Sequence, residues 1–399
     1  MRRTRTLTLL SLTLLLPISS NLAAAKEKPA PTKPAQPEDP AAEINEVRSG
    51  SRRIAFTTEQ GTWTSLDVSP DGKTIVLDLL GDLYLLPIAG GEAKRLTQGP
   101  AWDSQPRFSP DGGTVAFTSD RSGIENLWLI GTDGQGARAL TEEKDLFTSS
   151  PDWTPDGRFL VARRRSGKPA GIPPVELYLF HRDGGAGVQL TKSDEIQNAA
   201  GPVASKDGRF LYFASRQRPF NYIPNLQDGL WQVARYDRVT GTQAQLTEGF
   251  GGGARPAVSH RGDRLAYISR RDGDTVLVLR DLDSGAERIL ARELEKDEME
   301  GFAEGDLYPG YDFLPDDSAL VLSDRGRLVR IEVESGNRRE IPFRAEVEQW
   351  AAPRVAWQDG VDRGPVEVKV LRRPSLSPDG RAIVFEALGR IWRQAVENG

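Results

Sequence analysis

The chain has 399 residues, with 52 Lys and Arg against 57 Asp and Glu, two His and no cysteine, for a formal charge of -5 at pH 7. The two signs are interspersed, so no broad positive field exists to hold a phosphate backbone, and nucleic acid is not an expected partner. The missing cysteines exclude disulfides, thiolate metal sites and cysteine nucleophiles, while 40 glycines and 27 prolines spread along the chain supply frequent turns and mark the composition as all-β.

The N-terminus carries Arg2, Arg3 and Arg5, an apolar run from Leu7 to Ile18, and Ala23-Ala24-Ala25. That order predicts a signal peptide over 1–25, cleaved near Ala25, and the apolar run falls short of the roughly 20 residues a spanning helix needs. An uncleaved anchor is the weaker alternative. No later segment is apolar enough to span, so the mature chain is expected to be periplasmic or secreted with no membrane span. Lys26 to Ala42 is rich in Pro, Ala and charge and reads as a disordered linker. The remainder, 43–399, reads as one domain.

Arg53 to Thr57 (RIAFT) is a lone strand candidate. A turn peptide then recurs with the same neighbours on both sides. Ser69-Pro70-Asp71-Gly72 leads through TIVLDLL and LYLLPI to Arg95-Leu96-Thr97, and Ser109-Pro110-Asp111-Gly112 through TVAFTSD and NLWLI to Ala139-Leu140-Thr141. Further copies stand at Thr154 to Gly157 and Ser205 to Gly208. Degenerate ones follow at Ser259-His260-Arg261-Gly262 and Leu314-Pro315-Asp316-Asp317, and a clean one at Ser377-Pro378-Asp379-Gly380. Proline presets φ at the second position, glycine takes the left-handed residue, and the aspartates are expected to cap their own backbone.

Each unit reads as an antiparallel meander of four short strands. A sheet that small cannot bury both faces alone, so the units must stack, and radial stacking gives a β-propeller. Seven turns predict seven blades, with six as the alternative; Arg53 to Thr57 is expected to complete the last blade, whose own residues supply three strands. The segments 162–176, 216–229 and 291–310 are too polar or too rich in Pro and Gly for core strands, and are expected on a rim or over the channel.

These repeats resemble the WD40-like repeats of TolB-type propellers from Arg53 onward. The stretches Glu59-Gly61-Thr62-Trp63, 67–97, 101–112 and 306–323 resemble, more closely, the propeller that precedes a metal-dependent amidohydrolase domain in large exported proteins. The resemblance implies a hydrolytic metal site in a following barrel that begins with His-x-His. Here His181 and His260 are far apart, so this chain is expected to lack that domain, as a stand-alone propeller or as part of such an enzyme.

No complete catalytic constellation is evident, and neither a cofactor nor a metal is expected. His181 and His260 are expected to be turn histidines, for want of a spaced partner. The acidic run Glu293, Glu295, Asp297, Glu298 and Glu300 reads as a solvated loop, since it lacks the alternating spacing of a calcium site. Trp63, Trp102, Trp153, Trp231 and Trp392 are mostly assigned to blade packing; Trp350, Trp357, Phe220 and Tyr222 have the better claim to a binding surface. Asp103, Ser104, Gln105, Ser149 and Ser150 are the channel-lining candidates, and Arg163 and Arg165 with Tyr222 are candidates at the rim. The expected function is an exported, non-catalytic module that binds a protein partner or a small ligand at a propeller face; the alternative is the accessory propeller of an amidohydrolase-type hydrolase.

Overall fold

The computed structural model describes residues 45–165, 174–192, 198–216, 231–301, 303, 305–354 and 365–396. The expected signal peptide and linker, Phe220, Tyr222 and Trp357 lie outside the described residues, as do 166–173 of the first insertion and 217–229 of the second. The chain divides into two units: Glu59–Ala345 forms one, and Val47–Thr58 with Glu346–Gly399 the other.

Strand β1 (Arg52–Thr58) lies in the second unit. In the first unit every group of four consecutive strands forms one antiparallel sheet, paired in sequence order. The first sheet takes β2 (Leu66–Val68), β3 (Thr74–Leu79), β4 (Asp82–Pro87) and β5 (Gly91–Arg95). The second takes β6 (Asp103–Phe108), β7 (Thr114–Ser119), β8 (Asn126–Gly131) and β9 (Arg138–Ala139). The third takes β10 (Phe147–Trp153), β11 (Phe159–Arg165), β12 (Val175–His181) and β13 (Val188–Gln189). The fourth takes β14 (Ala199–Ala204), β15 (Phe210–Arg216), β16 (Trp231–Asp237) and β17 (Thr242–Gln245). The fifth takes β18 (Ala254–Val258), β19 (Arg264–Arg271), β20 (Asp274–Asp281) and β21 (Glu287–Ala291). The sixth takes β22 (Asp312–Phe313), β23 (Ala319–Asp324), β24 (Arg327–Glu332) and β25 (Arg338–Ile341).

The turn peptide joins the first two strands of each sheet. Ser69 Oγ accepts Thr74 N at 2.9 Å and donates to Asp71 Oδ1 at 2.7 Å, and the same aspartate oxygen accepts Lys73 N at 3.1 Å. Asp111, Asp156, Asp207 and Asp379 repeat this, and their hydrogen bonds from the turn hydroxyl hold the carboxyls below the ordinary range. The aspartates therefore cap their own turns. The turns also interlock between blades. Pro70 packs on Gly112, Pro110 on Gly157, Pro155 on Gly208 and Pro315 on Gly72, where an added Cβ would meet the proline ring at 3.3–3.7 Å.

The contact of Pro315 with Gly72 joins the sixth blade to the first. The innermost strands β2, β6, β10, β14, β18 and β22 touch in succession, and β22 and β23 touch β2. Leu66 N donates to Gly310 O at 2.9 Å and Gly61 N to Gly326 O at 3.0 Å across the same seam. The first unit is thus a closed ring of six blades. Its middle strands read as continuous apolar runs because both sheet faces are covered by neighbours: Val76, Leu83, Phe108, Val115, Phe117 and Ile130 form one cluster between the first and second blades. Each such buried side chain contributes roughly 1.5–3 kcal/mol.

Strand β26 (Phe343–Ala351) leaves the sixth blade, and its first residues, Phe343 to Ala345, pair in parallel with Gly91 to Ala93 of β5. In the second unit β26 is paired with β1, where Arg53 Nη2 meets Glu348 Oε2 at 2.5 Å. β27 (Arg372–Leu376), β28 (Ala382–Ala387) and β29 (Arg390–Ala395) form a separate three-stranded sheet. The expected closure of the last blade by Arg53 to Thr57 therefore does not occur. Six complete meanders already close the ring, so β1 is left to take up the edge of β26. Trp153 and Trp231 are buried as packing residues, but Trp102 and Trp392 are 60% and 47% exposed.

Candidate functional site

The inner strands of the second to fifth blades each carry a β-bulge, seen as a register shift before the turn. Its central residues, Gln105, Ser150, Gly201 and Arg255, have φ of 56, 52, 52 and 47°. The bulge turns two layers of side chains toward the axis, one at the turn end and one at the opposite end.

At the turn end the residue two before each turn faces the channel: Asp67, Arg107, Asp152, Val203, Ala257 and Asp312. With Pro70, Pro110, Pro155, Lys206 and His260, which are second residues of turns, they line a funnel of about 240 Å³. Two of the aspartates clasp the next inner strand. Asp67 Oδ2 accepts Phe108 N at 2.7 Å, and Asp152 Oδ2 accepts Ala204 N at 2.9 Å. Arg107 sits between them, 3.2 Å from Asp67 Oδ1 and 3.8 Å from Asp152 Oδ1. Asp312 is half-buried; burial first, and then the Asp67 charge, push its carboxyl well above the ordinary range, against Lys206 and Arg107.

Lys206 and His260 stand where other turns have proline, so two cation-forming side chains replace two apolar rings at the mouth. His260 N, which a proline would lack, donates to Asp317 Oδ1 at 2.6 Å, and Arg261 N donates to Asp317 Oδ2 at 2.9 Å. Asp317 itself replaces a turn glycine at φ 59°. The two degenerate turns thus compensate each other across the blade boundary. Burial and the neighbouring Lys206 lower the His260 imidazole pKa, against the pull of Asp317.

Behind the funnel the channel is filled. Arg255 Nη1 donates to Asp306 Oδ2 at 2.8 Å, and Ser150 Oγ donates to the same oxygen at 3.0 Å. A Cβ on Gly310 would stand 2.7 Å from Arg255 Nη2 and 3.2 Å from Arg107 Nη2, so this glycine makes room for both guanidinium groups. Beyond them lies a cap built from the described residues of 292–310. Asp297 is bound by Arg270 and Thr275, Glu300 by Arg270, Gly301 O by Arg216, and Ala303 O by Arg163. Met299, Ala303 and Leu307 pack with Ala200, Ala214, Trp231 and Ala254. The expectation of a solvated acidic loop fails for Asp297, which is fully buried. The apolar residues inside the acidic run pull its backbone onto the blades.

The sequence candidates divide between the two ends. Gln105 Oε1 accepts Thr118 Oγ1 at 2.8 Å and Ser150 N at 2.9 Å, so Gln105 and Ser150 belong to the filled layer, and Arg163 reaches the cap above it. Ser149 is buried and Ser104 half-buried on the same strands. Asp103 is bound to Arg121 within its own blade, and Arg165 lies over the Phe147 ring at 4.5 Å. The three adjacent arginines diverge, since Arg164 turns to Tyr178 and Glu143. His181 ends β12 at the surface, edge-on to Phe159. The funnel residues Asp67, Arg107, Asp152, Lys206 and Asp312 were not singled out from the sequence. Their signal is positional, at a fixed offset from the turn peptide. Among the described residues no group of three or more His, Asp or Glu side chains is placed to hold a metal ion.

Residues 65–223 match the tricorn protease N-terminal beta propeller domain family. An uncharacterized protein of Agrobacterium fabrum is 28% identical over 258 residues, covering 61% of this chain and 80% of its own length. TolB from Acinetobacter baumannii superposes with a TM-score of 0.53 at 18% identity, over 74% of this chain and 66% of that one. The tricorn protease does so with a TM-score of 0.54 at 17% identity, over 84% of this chain but only 30% of that one. Both structural likenesses concern the fold.

Proposed function

We propose that this chain, a TolB-like β-propeller in fold, is an exported binding module that seats a polar ligand or a segment of a protein partner in the turn-end funnel and performs no covalent chemistry there. One observation carries this. The inner-strand positions of all six blades converge on one cavity, and the two turns that lack proline contribute Lys206 and His260 to it. The opposite end of the channel is filled by Arg255, Asp306 and Ser150. A ligand therefore approaches from the turn side. The funnel offers it charges of both signs over an apolar wall of Phe108, Trp153, Val203 and Val258, an arrangement suited to recognition.

Export is supported by the basic, apolar and small-residue order of residues 1–25. Among the described residues no helix is long and apolar enough to cross a membrane. A photo-crosslinking residue placed at Lys206 and, separately, at the exposed cap residue Glu298 tests the direction of approach in cells. Adducts are expected at 206 and absent at 298. Adducts at 298 alone would contradict the proposal.

A further inference from the structure

A second cavity, of about 450 Å³, lies in the groove between the first and second blades at the turn face, beside the funnel, with which it shares Pro70 and Phe108. It is lined by Pro70, Asp71, Leu85, Phe108, Gly112 and Thr132, among others. Each blade places one residue at the position of Thr132, just after its third strand. The register is fixed by one backbone bond common to all six: Ile88, Thr132, Arg182, Arg238, Leu282 and Val333 each donate N–H to the residue four after the start of the turn, at 2.8–3.1 Å.

The occupants of neighbouring grooves show what this position is shaped to take. Between the second and third blades Arg182 lies over the Trp153 ring at 5.6 Å, with its Nη1 3.3 Å from Gly157 O and Asp111 close enough to feel its charge. Between the third and fourth, Arg238 donates from Nη1 to Gly208 O at 2.7 Å, and Asp156 feels its charge. The first groove keeps each of these partners in register: Phe108 for Trp153, Gly112 for Gly157 and Gly208, and Asp71 for Asp111 and Asp156. What differs is the side chain itself, since Thr132 is short. Leu282 and Val333 pack into apolar clusters at the fifth and sixth blades.

We propose that the groove between the first and second blades is a receptor site for an arginine side chain of a partner polypeptide. Its guanidinium lies over Phe108, donates to Gly112 O and neutralises Asp71. Lys73, now 3.4 Å from Asp71 and 80% exposed, is held too weakly to compete. A planar fork suits a carbonyl and a carboxylate together better than an ammonium does.

The test uses the full chain with N-acetyl-arginine N-methylamide as probe and backbone amide resonances as readout. Saturable shifts are expected at Gly112 and Thr132, with millimolar affinity as befits one side chain, and markedly weaker shifts with the lysine counterpart. Asp71→Asn is expected to weaken the arginine probe about twofold to fivefold. Thr132→Arg is expected to fill the groove from within, abolish the shifts and raise Tm. Shifts absent from the groove, equal response to the lysine probe, or undiminished binding by folded Thr132→Arg would each overturn the proposal. Its failure leaves the funnel proposal standing, because Asp71, Gly112 and Thr132, on which the groove proposal rests, do not line the funnel.

Discussion

Replacing Asp297 by alanine is expected to release the cap without unfolding the ring. Asp297 is fully buried and accepts from Arg270 Nε at 2.9 Å, Arg270 Nη2, Thr275 Oγ1 at 2.8 Å and Met299 N at 3.0 Å. Stranding the partner of a buried ion pair costs about 3–5 kcal/mol. That figure is too high here, because Arg270 keeps 26% of its side chain exposed and retains Glu300 at 2.6 Å. The orphaned Thr275 hydroxyl and Met299 N–H, with the lost charge-assisted bonds, leave about 2–3 kcal/mol. If that loss fell on the whole ring, Tm would drop by about 4–12 °C. The cap is held by side chains rather than by strand pairing, so the loss is expected to stay local. Hydrogen exchange read by mass spectrometry should show lost protection in peptides spanning 294–308 and native protection across β19 and β20. A uniform loss around the ring, or none anywhere, would refute the reasoning.

Two further substitutions probe the ring itself. Asp78 is buried between Ser65 N and Gln105 N, and burial pushes its carboxyl up to about 7 against those donors and the charges of Arg255 and Arg107. An acid with a folded pKa above its unfolded value near 4 binds its proton more tightly when folded, so folded stability is lost as pH rises from about 4 to 7. The wild type should therefore lose Tm relative to Asp78→Asn between pH 5 and pH 7; a gap that does not change with pH would remove this titration from the account. His260→Pro restores the repeat consensus yet deletes the N–H that Asp317 accepts at 2.6 Å, and Asp317→Gly relieves φ 59° but strands two N–H groups. Each alone is expected to destabilise by about 1–2 kcal/mol, and the double variant by less than their sum; additive losses in urea unfolding would show that the two turns are independent.

The turn peptide made the blades legible because its folding information is local: a hydroxyl, a proline, an aspartate and a glycine shape each turn within six residues, although proline and glycine also meet between blades. Ring closure was not legible. RIAFT has the pattern of any edge strand, and nothing in it favours the three-stranded sheet over β26. The funnel was within reach of the sequence through register, since Asp67, Arg107, Asp152 and Asp312 share one offset from the turn, but their individual identities carry no motif. Gln105 and Ser150 are expected in the channel because they stand near the start of the inner strands; as central residues of the bulges they lie in the filled layer instead of the funnel. The cap was misread because Glu293 to Glu300 looked solvated, although Leu294 and Met299 mark the side that turns inward.

The funnel exists only if the sixth blade meets the first, and one cysteine pair tests that directly. In this chain without native cysteine, Gln60 and Gly326 face each other across the seam, and a Cβ at Gly326 would stand 3.8 Å from Gln60 Cβ. That is the mean Cβ separation of disulfides. Gln60→Cys with Gly326→Cys should oxidise to an intramolecular bond, visible as a mobility shift on non-reducing gels that reductant abolishes. Because Gly326 sits at φ 80°, where a side chain is strained, a short bismaleimide backs the disulfide; thiols that neither oxidise nor are joined by it in the folded protein would mean that the two positions are not neighbours, and the six-bladed ring with its funnel would be wrong.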